Sequence, residues 1–423
     1  MESAHGQRRS VYPVGEVAVA ALGLEVGNGP LIGLGIPDQD ARSRVQWAFG
    51  PIVVEINLTH IYNNEEVLPG DGQAIAGAGD EEGLHDVPTT ALLLFEQPLY
   101  SAAETIKAAL SRALSHYYPI AGRIVAVAGG GGDDDVYIDC NGEGVAFVAA
   151  STSHALKEVI GFERSPCARK LLDELAVYYP DMTCVPGDPL LLMQVTEFSC
   201  GGFVLAVTSN HAVTDGVGMG QFLKAIGEFA GGMPWDGSLP SLPPSVLETQ
   251  QHMLSLDPLD DLRCSTFEAT LAILWKLDTE TPVMLVFAAD VRRHVGAMEG
   301  YYGNCNVELF AMARSGAVAD GDVKDLIMAI KSAKDRVPGL LKEDEGEGMV
   351  GKLREVRSYD TLMVTSWRNL GFEQVDFGSG RPSRVTSSGK AMPPSPAALG
   401  FLNSGRDGVS HVRRSTPEPS SQN

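Results

Sequence analysis

Two apolar, β-rich runs, Leu190 to Phe198 and Phe203 to Ser209, are separated by a short turn that holds Gly201 and Gly202. Branched and aromatic side chains suit a pleated surface, and glycine supplies the backbone a tight reversal needs, so the segment predicts a β-hairpin. An apolar hairpin needs a core around it. With 423 residues and 44% hydrophobic content the chain can build one, and its length predicts two or three domains.

The second run ends at the decapeptide NHAVTDGVGM, Asn210 to Met219, which places His211 at a strand end and Asp215 four residues later. Imidazole is the side chain whose ordinary pKa lets it take and return a proton near neutrality, and clefts form where strands end. On these residues alone a catalytic base and a satisfied structural histidine both stay open. A metal site is the weaker reading, because no further His or Cys stands at a supporting spacing. Asp215 could orient the imidazole or pair with an arginine and hold the loop. The second role is favoured, with Arg292 as partner and Gly216 letting the chain turn sharply.

Around this centre the pattern alternates strands with helices. TTALLLFE from Thr89 reads as a buried strand, Ala102 to His116 as a helix, and Gln221 to Ala230 as a second helix. Met233 to Pro258 carries Pro234, Pro240, Pro243, Pro244 and Pro258 and reads as an extended connector. Beyond it, Ser265 to Lys276 is helical with a Ser or Thr cap and Glu268 in the first turn. Val283 to Ala289 and Leu362 to Trp367 read as strands, and Lys324 to Val337 as a helix. Residues 1 to 86 are glycine-rich, with one strand-like run at Ile52 to Leu58. Gly129 to Gly132 lacks the Lys-Ser/Thr ending of a phosphate loop and precedes three aspartates, Asp133 to Asp135, so a turn is expected.

Charge excludes several partners. The 32 Lys and Arg stand against 54 Asp and Glu, a net charge of −22 that repels nucleic acid and anionic lipid. Six cysteines without a C-x-x-C pair suggest neither zinc nor a disulfide framework and fit a reducing cytoplasm. The apolar stretch Val17 to Leu24 follows Arg8 and Arg9 but is bracketed by Glu16 and Glu25, so no leader and no membrane span is expected.

HAVTDG together with VDFGSG at Val375 to Gly380 resembles the H-x-x-x-D and D-F-G-W-G pair of the plant BAHD acyl-CoA-dependent acyltransferases. The resemblance runs from Val87 to Val385 through YYPIAGRI (Tyr117 to Ile124), CSTFEATLAILW (Cys264 to Trp275), ADVR (Ala289 to Arg292), YYGNC (Tyr301 to Cys305) and TSW (Thr365 to Trp367). It implies an α/β, two-domain, chloramphenicol-acetyltransferase-like fold, each domain a mixed sheet flanked by helices, with a channel between them. The implied domains are 1–238 with part of 376–395, and 263–375 with 396–408; composition makes 239–262 the crossover connector and the Pro-, Ser- and Arg-rich 409–423 a disordered tail.

The resemblance makes His211 the general base for an acyl-CoA co-substrate and a small-molecule alcohol or amine acceptor, with no bound cofactor; nothing in the sequence argues against a monomer, which is the state expected. Asp215, Gly216, Arg292, Asp376, Phe377, Gly378 and Gly380 become structural at the site. Ser265, Thr266, Tyr302, Asn304, Thr365, Trp367 and Ser379 become candidates for binding coenzyme A or substrate, against capping or packing roles. Ser379 stands where the family has tryptophan, VDFGSG is expected in the same cleft as His211, and a strand between Leu259 and Cys264 and a final strand and helix are missing. A degenerate relative that binds without turnover is the alternative.

Overall fold

A computed structural model describes residues 44–49, 52–57, 59–61, 75–76, 88–126, 136–157, 174–232, 264–277, 284–341, 361–387, 397–400 and 412–415. The Gly129–Asp135 loop, the Met233–Pro258 connector and residues 259–263 lie outside them.

The expected hairpin forms the middle of a large sheet. Its strands are β1 (Arg44–Phe49), β2 (Ile52–Asn57), β3 (Thr59–Ile61), β5 (Pro88–Phe95), β8 (Val145–Thr152), β9 (Leu191–Phe198), β10 (Phe203–Asn210) and β14 (Arg384–Ser387). A small sheet joins β4 (Ile75–Ala76), β6 (Arg123–Ala126) and β7 (Val136–Asp139). The large sheet runs β1-β2-β8-β9-β10-β5-β14, with β3 also on β8; β8 and β9 are parallel and the other pairs antiparallel. Every residue of β10 is buried, because the central strand is covered on both faces. Helices α1 (Ala102–Leu114) and α2 (Gly216–Ala230) cover one face, where Leu93, Phe95, Phe203, Leu205 and Val207 join Leu110, Phe222 and Ile226 in one core. Leu92, Leu94, Val204 and Ala206 face the other way, onto Leu156, Leu175 and Tyr178.

The second sheet consists of β11 (Met284–Asp290), β12 (Asn306–Met312), β13 (Thr361–Ser366), β15 (Ala397–Gly400) and β16 (Val412–Ser415). Its order is β12-β11-β13-β15-β16, parallel at β11–β13 and β13–β15. Helix α3 (Thr266–Leu277) brings Leu271 and Trp275 onto Leu285, Phe287, Leu362 and Val364. The short α4 (Arg292–Val295) follows β11, and α5 (Val323–Asp335) adds Leu326 and Ile330 to the same core. Although β14 lies late in the chain, it pairs with β5, so the chain returns to the first sheet before β15 and β16 complete the second.

Three sequence expectations need correction. Composition predicts a disordered tail over 409–423, yet Val412–Ser415 pairs antiparallel with β15, with Gly400 opposite Val412. Backbone hydrogen bonds to a neighbouring strand do not depend on the Arg- and Ser-rich composition that points to disorder. A final strand, expected to be missing, is present twice over as β15 and β16, and β1 has no forerunner in the sequence pattern. Gly216 does not make a turn: it is the first residue of α2, which begins five residues before the expected Gln221 because Asp215 caps it.

Candidate active site

The site starts at the end of β10. Asn210, fully buried, accepts from the Ala212 amide through Oδ1 at 2.8 Å and from the Val213 amide through its carbonyl at 3.3 Å. This side-chain turn bends the chain as soon as the strand ends. His211 therefore leaves the sheet in a fixed direction. Its Nδ1 is buried and has no hydrogen-bond partner among the described residues, which leaves Nε2 as the nitrogen that can meet a ligand. Burial pushes the imidazole pKa below its usual 6.5, with the Asp215 charge and the carbonyl of His211 itself opposing. The ring is neutral, and so able to accept a proton, at physiological pH.

Asp215 uses its carboxylate completely. Oδ1 accepts from Gly218 N at 2.9 Å and Arg292 Nη2 at 2.8 Å; Oδ2 accepts from Arg292 Nη1 at 2.9 Å and Cys305 N at 3.0 Å. It caps α2 and grips the arginine bidentately, so it is a brace, and the Arg292 partnership expected from sequence is present. Arg292 also donates to Gly303 O at 2.8 Å and to Asp290 Oδ1 at 3.1 Å. Burial alone would lower the guanidinium pKa, but its bonds to Asp215 raise it, so the charge is permanent.

The segment Tyr301–Cys305 clasps the histidine loop from outside. Asn304 Nδ2 donates to the carbonyls of His211 at 2.8 Å and Ala212 at 3.1 Å, and Thr214 Oγ1 donates to Tyr302 O at 2.6 Å. Sequence reasoning named Asn304 and Tyr302 but missed Asn210 and Thr214. An Asn just before the histidine was the available signal for the turn, whereas Thr214 shows itself only through a partner 88 residues away. Helix α2 is rich in glycine for a packing reason. A Cβ on Gly218 would collide with Tyr302 O and Thr214 Oγ1, and one on Gly220 with Leu370 O. Glycine in a helix costs about 1 kcal/mol relative to alanine, accepted here so that two other backbones can lie against the helix.

The VDFGSG loop is not in the His211 cleft, which corrects the expectation for Ser379. Phe377 packs on Phe95 at 5.4 Å and Phe203 at 6.4 Å, and Phe203 begins the strand whose far end precedes His211. A strand rises about 3.3 Å per residue, so roughly 23 Å separates the two ends of β10. Asp376 Oδ1 accepts from Gly378 N at 2.8 Å and Gly380 N at 2.9 Å, with φ of 105° and 96° at those glycines. Its carbonyl rests against Gly227, late in α2. The loop is a clamp on the far end of the helix, and the Ser379 hydroxyl is buried there without a partner among the described residues.

The remaining candidates divide. Ser265 is exposed and forms a capping box with Glu268, Ser265 N to Oε2 at 2.8 Å and Glu268 N to Ser265 Oγ at 3.2 Å. Thr266 is the first residue of α3, and its side chain lies outside the described ones. Thr365 stands opposite Leu399 in β13, and Trp367, 7% exposed, packs 5.8 Å from Phe372 in the first core. Among the described residues no group of three or more His, Cys, Asp or Glu could hold a metal, and no helix is long and apolar enough to cross a membrane.

A family model described as the Transferase family matches residues 80–255 and 245–392. Acyl transferase 15 of Oryza sativa subsp. japonica is 39% identical over 350 residues, covering 71% of this chain and 79% of that protein. A myricetin 3-O-glucosyl 1,2-rhamnoside 6'-O-caffeoyltransferase of Crocosmia x crocosmiiflora is 31% identical over 340 residues, covering 66% and 76%. The crystal structure of vinorine synthase aligns with a TM-score of 0.58 at 21% identity, covering 78% of this chain and 86% of that one. F. graminearum TRI101 complexed with coenzyme A and T-2 mycotoxin aligns with a TM-score of 0.61 at 17% identity, covering 80% and 93%. The fold is accordingly the two-domain, chloramphenicol-acetyltransferase-like one. With these matches, the chain belongs to the Transferase family, the plant BAHD acyl-CoA-dependent acyltransferases.

Proposed function

We infer that this protein moves an acyl group from an acyl-CoA thioester to a hydroxyl or amine of a small specialised metabolite, with His211 as general base. The observation that carries the reading is a half-buried histidine at the end of β10 whose backbone loop is fixed by Asn210 and Asn304, beside a carboxylate that is fully engaged elsewhere. Its Nε2 takes the proton as the acceptor attacks the thioester carbon. The tetrahedral oxyanion then collapses, the C–S bond breaks, and the imidazolium returns the proton to the departing coenzyme A thiolate. A thioester is already activated, so positioning and the relay of one proton through a single base suffice; neither metal nor resident cofactor is needed by the chemistry.

Tyr302 and Asn304 are the candidates that stand beside the His211 loop, with Thr365, Trp367 and the α3 start at Ser265 and Thr266 as further candidate walls for coenzyme A. A division near 238 and 263, a monomeric state and a cytoplasmic place complete the proposal. The test is thiol release from acyl-CoA in the presence of an acceptor. It should occur in the parent and fall by at least 1,000-fold, about 4 kcal/mol of barrier, in His211→Ala. Equal turnover in both would end the assignment. The alternative of a binder without turnover draws on Ser379 and on the family elements expected to be missing; against the first of these stands the packing of Phe377 on Phe203, at the opposite end of β10 from His211.

A further inference from the structure

Three tyrosines meet where the Tyr301–Cys305 segment enters the first core, and their hydroxyls are treated differently. Tyr117 Oη accepts from Gln221 Nε2 at 3.2 Å, and Tyr301 Oη donates to Asn304 O at 3.0 Å. Tyr302 is 2% exposed, and its buried hydroxyl has no hydrogen-bond partner among the described residues. Its ring lies 4.9 Å from that of Tyr117, itself edge-on to Phe222 at 5.0 Å. A phenylalanine would supply the same ring packing, and an unpaired buried hydroxyl costs stability. Among the described residues, this oxygen serves no hydrogen bond within the fold.

Its place indicates what it meets. Tyr302 is two residues from Asn304, and its carbonyl is bonded to Thr214 beside His211. Burial holds the Tyr302 phenol well above its usual range, with Cys140, Tyr118, Tyr117 and Tyr301 adding to it. Cys140 can be traced to the His211 end of the first sheet through backbone bonds. Cys140 follows β7, whose partner β6 accepts from Gly187 N at Ile124 O, 3.2 Å, just before the segment whose Leu190 O accepts from Asn210 N at 3.0 Å. Tyr118 is 40% exposed and Cys140 half-buried, so this wall reaches solvent. Burial pushes the Cys140 thiol up to about 11, and the Tyr118 phenol also titrates above its usual value, so the wall is uncharged at neutral pH.

We propose that the Tyr302 hydroxyl donates a hydrogen bond to an uncharged oxygen of a bound substrate and thereby helps set which substrate the site accepts. This rests on the acyl-transfer reading above. A carboxylate or phosphate would find no opposite charge on Tyr302, Tyr118 or Cys140, whereas a hydroxyl, carbonyl or amide oxygen needs only the donor. Such an oxygen can come from the acceptor or from the acyl-pantetheine arm of acyl-CoA, and the two sources separate in steady-state kinetics.

The experiment uses the full chain, with acetyl-, benzoyl- and caffeoyl-CoA against primary alcohols and flavonol glycosides, and the fastest pair in the parent carried forward. Tyr302→Phe should melt at or above the parent temperature, and KM for one substrate should rise about tenfold, the size of one lost hydrogen bond. A rise for the alcohol assigns the acceptor; a rise for the acyl-CoA, repeated in a calorimetric titration with free coenzyme A, assigns the thioester arm. Both KM values within twofold of the parent overturn the contact, whatever happens to the melting temperature. If the parent turns nothing over, the acyl-transfer reading fails on its own. Calorimetric titration with coenzyme A and, separately, with the alcohol then decides: equal affinity of parent and Tyr302→Phe for both overturns the contact too.

Discussion

Arg292 holds Asp215 by two parallel hydrogen bonds, Nη2 to Oδ1 at 2.8 Å and Nη1 to Oδ2 at 2.9 Å, across 77 residues of sequence. The pair ties α4 of the second sheet to the first turn of α2, directly behind the His211 loop. With side chains 14% and 6% exposed, neither charge can be rehydrated if the other is removed. Breaking such a pair costs about 3–5 kcal/mol, and Arg292→Ala and Asp215→Ala should each lower the denaturant midpoint accordingly. The double variant should cost little more than either single one, because the second deletion removes a charge already stranded. Strictly additive losses in urea unfolding would mean that the two act independently. Arg292→Lys keeps the charge but not the fork, and should recover less than half of the loss.

The neutral His211 sets the pH dependence. Burial lowers its pKa in the folded protein below the ordinary 6.5, so the base is competent above that depressed value and protonated below it. The rate at low substrate should be flat at neutral pH and fall on acidification, with a midpoint under 6.5 rather than at or above it. Stability follows the same sign. The unfolded chain binds the proton first as pH falls, so the contribution is complete above 6.5 and is lost as pH descends from there through the folded value. A rate profile with its acid limb centred above 6.5 would contradict the burial of this ring.

The glycine seam on α2 makes a steric prediction. In Gly218→Ala the new methyl group meets Tyr302 O and Thr214 Oγ1, and the 301–305 segment must shift. Overpacking of this kind costs about 1–3 kcal/mol, and here it also moves Asn304 and the His211 carbonyl that it holds. Turnover should fall at least tenfold more than substrate affinity does. Gly316→Ala is the control, since nothing lies within 4 Å of where its methyl group would stand; it should leave activity unchanged. Equal behaviour of the two variants would dismiss the close approach.

How much of this could be read from sequence depended on the range of the interaction. The hairpin, the strand-end histidine and the Ser265–Glu268 capping box are local, and each was legible from a few residues. The Asp215–Arg292 pairing was expected from the loop aspartate and supported by the family pattern, but its bidentate geometry, made across 77 residues, was not legible locally. The start of α2 was not, because three glycines at Gly216, Gly218 and Gly220 argue locally against a helix and only tertiary packing accounts for them. Nor was the position of VDFGSG, because motif order along the chain does not say which end of β10 the loop will meet.

Asn304 joins two carbonyls with one amide group, which makes a further test. Asn304→Asp replaces the Nδ2 donor by an acceptor and faces the His211 and Ala212 carbonyls with an oxygen at a hydrogen-bond distance. Repulsion should move the histidine loop, lowering turnover by 10- to 100-fold, about 1.4–2.7 kcal/mol of barrier. Asn304→Ala leaves the carbonyls unpaired without that repulsion and should retain more activity than the aspartate. If aspartate is the better substitute, the amide acts through its oxygen and not through the donor that grips the loop.

Ser379 lies at the other end of the strand, so its effect should be on stability alone. Its hydroxyl is buried without a partner among the described residues, beside a loop closed by Asp376 on Gly378 and Gly380. Removing an unpaired buried hydroxyl returns its desolvation cost, about 1–3 kcal/mol less whatever small cavity replaces it. Ser379→Ala should therefore melt at or slightly above the parent temperature, with both KM values and turnover within twofold. Phe377 gives the contrast. It is 1% exposed and packed on Phe95 and Phe203, so Phe377→Ala should cost about 3–5 kcal/mol and release the far end of α2. A drop of tenfold or more in turnover for Ser379→Ala, at unchanged melting temperature, would place this loop in the reaction cleft after all.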